Sequence, residues 1–125
     1  MFAVRAEPKK NLLVMTFSQH VGLGELQRGQ ADTDATLAAL SPGFRLLSDL
    51  TGLESMDPAC LTYLRTTMDR LNQRGVTEVI RVIPDPHKDI GLSILSLFHY
   101  RRGIRIVTCQ TMSEAMAALA VRPPA

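Results

Sequence analysis

The stretch Leu46-Leu-Ser-Asp-Leu-Thr-Gly-Leu-Glu-Ser-Met-Asp57 decides how the rest of this chain is interpreted. Its apolar first part belongs to a run over 44–50, which ends at Thr51-Gly52, a pair typical of a turn. Asp57-Pro58 then favours a helix start, because aspartate caps helices and proline is preferred at the first helical position. The stretch therefore predicts a central strand, a short loop and the beginning of a helix.

A helix is predicted directly after this proline. Leu61, Leu64, Met68 and Leu71 recur at three- and four-residue intervals, so they share one face of a helix. Gly75 ends the helix, because glycine readily adopts the left-handed conformation found at helix ends.

The same alternation of strands and helices extends along the rest of the chain. Apolar or β-branched runs predict strands at 2–6, 12–17, 76–83 and 104–109. Helical spacing predicts helices at 22–40, 87–100 and 111–119, the last opened by a capping box of Thr111 and Glu114.

These elements predict an α/β fold in a single domain over 1–125. The polar connection 7–11 is of hairpin length, so the first two strands should be antiparallel. Helices join the later strands, which should therefore run parallel. The expected architecture is a mixed sheet of about five strands with four helices.

Composition limits the classes of function. The 125 residues, 46% hydrophobic and 21% charged, suit one globular domain. The net charge of +2 is small and its basic residues are dispersed, so no nucleic-acid partner is expected. No apolar run is long enough for a membrane span. The first ten residues place positive charge after the apolar residues, unlike a secretory signal, so a cytoplasmic location is expected.

No motif predicts an enzyme, a metal site or a cofactor. The histidines His20, His87 and His99 lack metal-ligand spacing, and we interpret them as surface or loop residues. No serine lies in a nucleophile elbow, and no glycine-rich phosphate loop occurs. N-capping is a sufficient role for Asp57. Cys60 is either a thiol activated by a helix N-terminus or a small core residue, and we favour the core role.

With these elements in place, the sequence resembles the STAS domain, the fold of anti-sigma-factor antagonists, over its whole length. The match rests on the strand, loop and aspartate of 46–57, on the helix ending at Arg74-Gly75, and on the order of the elements around them. The resemblance implies a non-catalytic regulatory module that binds a protein such as an anti-sigma factor or a sensor-complex component.

The chain departs from the family where the family is usually phosphorylated. The usual motif continues Asp-Ser-Ser-Gly or Asp-Ser-Thr-Gly, whereas the letters here are Asp57-Pro58-Ala59-Cys60. Ala59 matches the phosphoacceptor and has no oxygen to accept a phosphoryl group. The nearby hydroxyls of Ser55 and Thr62 are candidate substitutes. The resemblance implies the following partner-binding residues: Glu54, Ser55, Met56, Asp57, Pro58, Ala59, Cys60 and Thr62.

A second hypothesis concerns the predicted helix 87–100. Its apolar surface, which includes Ile94, Leu97 and Phe98, is wider than one packed face requires. It could line a cavity for a small molecule or lipid, or form the seam of a homodimer. The sequence leaves these alternatives open beside the protein-binding one.

Overall fold

A mixed five-stranded sheet forms the centre of the protein. The computed structural model describes residues 1–83 and 104–121. The strands lie side by side in chain order: β1 Phe2–Glu7, β2 Leu12–Val21, β3 Arg45–Met56, β4 Glu78–Val82 and β5 Arg105–Cys109. β1 is antiparallel to β2, and every later pairing is parallel. The predicted mixed sheet is confirmed.

Helices cover both faces of this sheet. The described residues form α1 Leu23–Arg28, α2 Gln30–Ala38, α3 Cys60–Arg74 and α4 Met112–Ala120, with a 3-10 turn at Pro8–Lys10 between the first two strands. The predicted helix 87–100 lies outside the described residues.

The helix predicted over 22–40 is divided in two at Gly29. A Cβ at this position would lie 2.8 Å from the ring of Phe2, so α1 and α2 meet where the backbone passes close to β1. Glycine also has low helix propensity. The close contact with β1 therefore occurs at Gly29, a residue with low helix propensity.

Each face of the sheet has its own hydrophobic core. On β2, Leu13 and Met15 point to the cluster shared with α1, α2 and α3, while Leu12 and Val14 point to the cluster beneath α4. Strands buried on both faces are expected where parallel strands are covered by helices. The central strands are therefore covered on both faces.

The strand β3 is longer than the sequence predicted. The expected turn at Thr51-Gly52 is wrong: β3 continues through both residues to Met56 and pairs with an extended β2. One extra residue of β3 is accommodated where the pairing shifts between Thr16 and Ser18, as in a β-bulge. Pairing with β2 therefore overrides the local preference for a turn.

Arg45 ties α4 to the sheet. Its guanidinium donates to the carbonyl oxygens of Leu119 and Val121 at 3.1 Å each, at the end of α4. It also lies 3.9 Å from a carboxylate oxygen of Glu78, whose side chain is only 6% exposed. At the other end of α4, Thr111 accepts a hydrogen bond from the backbone of Glu114 at 3.1 Å, as a helix cap does.

We expect Arg45→Ala to lower the free energy of unfolding by about 3 kcal/mol, because it leaves the buried carboxylate of Glu78 without its cation. Urea unfolding followed by circular dichroism measures this. The matched control is Arg65→Ala on the exposed side of α3, which should change the same quantity by less than about 0.5 kcal/mol. Equal effects of the two substitutions would contradict this role of Arg45.

Candidate functional site

Three polar side chains meet where β2 and β3 end. The ring Nδ1 of His20 lies 2.6 Å from Oγ of Ser55. The other ring nitrogen, Nε2, lies 3.0 Å from Oδ1 of Asp57. The three residues form a continuous serine–histidine–aspartate chain, called here the edge triad.

An irregularity in the strand pairing brings the edge triad together. Gln19 is opposite Leu53, but His20 is opposite Ser55, so one residue of β3, Glu54, is left unpaired. Residues that pair in parallel strands direct their side chains to the same face. Without this bulge, Glu54 and not Ser55 would face His20.

The backbone of Gln19 supports the same arrangement. Its φ of 57° lies in the left-handed region, which a residue with a side chain adopts at an energetic cost of about 1 kcal/mol. This conformation is located directly before His20, at the register shift. Strained residues and bulges concentrate next to functional sites, where they re-aim a side chain.

Asp57 does not cap α3, contrary to the sequence-based expectation. The helix begins at Cys60, its N-cap residue is Ala59, and no side chain caps it. The Asp57 carboxylate turns instead toward His20, while its backbone N–H donates to the carbonyl of Val21 at 3.0 Å. The Asp57 side chain therefore contacts the imidazole of His20 and not the backbone N–H groups at the start of α3.

Cys60 is a core residue. Its side chain has no exposed surface, and its thiol donates to the carbonyl of Val21 at 3.6 Å. Burial raises the pKa of the thiol above its ordinary value, and the negative charge of Asp57 raises it further. Because the thiolate is the reactive form, these effects oppose the activated-thiol interpretation.

We expect Cys60 to resist alkylation in the folded protein. Iodoacetamide at neutral pH should label it only after unfolding in urea, since the thiol is both buried and protonated. Peptide mass spectrometry before and after denaturation measures the labelling. Rapid alkylation of the native protein at Cys60 would contradict this prediction.

The other predicted partner-binding residues are distributed over the end of β3 and the start of α3. Their exposed members are Glu54, Asp57, Pro58, Ala59 and Thr62, whereas Ser55 and Met56 are half-buried. Cys60, beneath them, presents no atom to the surface. We call the five exposed residues the β3–α3 surface. Whether a partner contacts it stays a prediction.

The apolar residues Ile94, Leu97 and Phe98 lie outside the described residues. Within the described part, a cavity of about 10 Å³ is lined by residues of β1, β2 and the helices α1 to α3, among them Tyr63 and Gln30, which are hydrogen-bonded at 2.5 Å. That volume holds no more than a single water molecule. In 1–83 and 104–121 no group of three metal-ligating side chains is found, and no helix there is long and apolar enough to cross a membrane.

Sequence reasoning singled out Asp57 and Ser55 but missed His20. The histidine is 35 positions before Ser55, and no local spacing connects them. The available signal was topological: polar residues after two adjacent parallel strands meet at the carboxyl edge of the sheet, where α/β proteins tend to bind ligands. It was not usable because β2 was expected to end at residue 17.

Two solved structures resemble this chain throughout. One is the anti-sigma factor antagonist SpoIIAA in its unphosphorylated form, with a TM-score of 0.67 and 13% identity, covering 98% of this chain and 100% of that one. The other is an uncharacterised protein of the DUF3478 family with a SpoIIAA-like fold from Shewanella loihica PV-4, with a TM-score of 0.66 and 11% identity, covering 95% and 92%.

Comparison of sequences adds no relative: no protein-family model matches this chain, and no curated protein matches it. The similarity therefore lies in the fold, and it spans nearly the whole of each chain. The protein has a SpoIIAA-like fold, that of the STAS domain.

Proposed function

We propose that this protein is a regulatory module that binds another protein through the β3–α3 surface, in the manner of anti-sigma-factor antagonists. The observation that carries the proposal is the SpoIIAA-like fold. The exposure of Pro58 and Ala59 supports the choice of this surface, which we infer from the sequence resemblance to be the regulatory loop. The partner is a regulatory protein such as an anti-sigma factor or a sensor-complex component.

The shape of the β3–α3 surface supports this proposal. Pro58 and Ala59 form a turn before α3, and Thr62 is exposed one helical turn further on. Beneath them, Cys60 and Leu64 are packed in the core and fix the start of the helix. An exposed surface on a rigid foundation binds with little loss of conformational freedom.

The charge of this surface limits the choice of partner. The carboxylates of Glu54 and Asp57 are exposed on it. Electrostatic complementarity favours a partner that presents basic side chains to these carboxylates. A phosphoryl group at Ala59 is excluded by its chemistry, so binding is regulated elsewhere or is constitutive.

The test is an affinity purification from a lysate of the source organism, with bound proteins quantified by mass spectrometry. We expect Ala59→Arg to reduce recovery of the partner at least about tenfold, because it inserts a long charged side chain at the centre of the contact. Ala59 is exposed and has helical backbone angles, which arginine adopts without strain.

The matched control is Ala117→Arg, an exposed alanine on α4, the helix that packs on the opposite face of the sheet. It should leave recovery unchanged, and both variants should unfold at the temperature of the original protein. Retention of every specific partner by Ala59→Arg would refute the proposed surface. A partner lost equally with both variants would also refute it.

A further inference from the structure

We propose that Ser55 is a nucleophile that accepts an acyl group from small, uncharged esters, with His20 as its general base and Asp57 as the residue that positions the imidazole. This proposal does not rest on the protein-binding function proposed above, although Asp57 belongs to both sites. It rests on the edge triad and on the backbone irregularities that assemble it.

The hydrogen bonds assign a role to each ring nitrogen of His20. A carboxylate accepts hydrogen bonds, so Asp57 Oδ1, at 3.0 Å, favours the proton on Nε2. In the neutral ring, Nδ1 is then left without a proton and lies 2.6 Å from the Ser55 hydroxyl, within the range for proton transfer. This is the logic of a serine–histidine–aspartate triad with the two ring nitrogens exchanged.

Two irregularities of the backbone lie at this contact. The register shift places Ser55 opposite His20, and the left-handed conformation of Gln19 directly precedes the histidine. The backbone N–H of Asp57 donates to the carbonyl oxygen of Val21 at 3.0 Å, and Gly22 leaves room for the carboxylate, since a Cβ there would lie 3.3 Å from Oδ2. The three side chains are therefore positioned by separate features of the fold, as a preorganised site requires.

The site is open to a reagent. The side chains of His20 and Asp57 are 56% and 51% exposed, and Ser55 is half-buried between them and the sheet. The carboxylates of Asp57 and the exposed Glu54 repel anions, which favours uncharged esters over negatively charged ones. Because the triad is exposed to water, the expected rate enhancement is that of general base catalysis, about 100-fold or more.

The proposed step is balanced without a cofactor. Oγ of Ser55 forms a bond to the ester carbonyl carbon while its proton passes to Nδ1 of His20. The bond between that carbon and the leaving oxygen then breaks, and His20 returns the proton to the departing alcohol. The products are an acylated Ser55 and the free alcohol.

The test exposes the full chain to p-nitrophenyl acetate and maps the acetylated residues by peptide mass spectrometry. We expect acetylation of Ser55 at least about 100-fold faster than that of Ser113, an exposed serine at the start of α4. His20→Ala should abolish this advantage, and added imidazole should restore part of it. Ser113→Ala is the matched control and should leave the labelling of Ser55 unchanged.

The tautomer of His20 distinguishes a positioning role of Asp57 from a purely structural one. ¹⁵N chemical shifts of the ring should report the proton on Nε2 in the original protein and a mixture of tautomers in Asp57→Asn. Asp57→Glu, which restores a carboxylate, should recover labelling that Asp57→Asn loses. Thermal unfolding of each variant verifies that the fold persists.

Two results would overturn the proposal. One is acetylation of Ser55 no faster than that of Ser113, which would leave the edge triad as a set of hydrogen bonds that only fixes the end of β3. The other is a neutral His20 ring with its proton on Nδ1, because that nitrogen would then donate to Ser55 and could not accept its proton. Neither result bears on protein binding at Ala59.

Discussion

The parallel pairing of β2 with β3 is the contact on which the other features of this protein depend. Both strands extend past the positions where their local sequences favour an end, and they remain paired as far as Val21 and Met56. Two extra residues of β3 are accommodated along the way, so the pairing is irregular without being interrupted. The length of these strands brings the polar residues of both to one edge of the sheet and fixes where α3 begins.

The edge of the sheet and the start of α3 form one continuous region with a buried foundation. Cys60 and Leu64 hold the helix against the core, while Pro58 and Ala59 above them remain exposed. Asp57 connects the two parts, since its backbone is bonded to Val21 and its carboxylate to His20. The Asp57 side chain was expected to cap α3, but it contacts His20 at the end of β2 instead. The region combines the exposed β3–α3 surface with the hydrogen-bonded Ser55.

The resemblance to SpoIIAA concerns the whole fold, whereas the absence of a hydroxyl concerns a single side chain, that of Ala59. The fold follows from strand order, helical crossovers and two buried cores, which many sequences satisfy, as an identity of 13% over nearly the full chain illustrates. Regulation by phosphorylation needs a single oxygen at a single position. A chain can therefore keep this architecture when the residue at that position changes.

The sequence by itself determined the order of the elements, because hydrophobic periodicity and breakers such as Gly75 act locally. It identified the five strands, the antiparallel start, a helix from Pro58 to Gly75 and the cap at Thr111. The structure contains all of these, with the helix beginning two residues later, at Cys60. Tertiary structure alone decided the lengths of β2 and β3 and the meeting of His20 with Ser55. These depend on pairing and packing between residues distant in the chain, whose energies outweigh local propensities and leave no local pattern in the sequence.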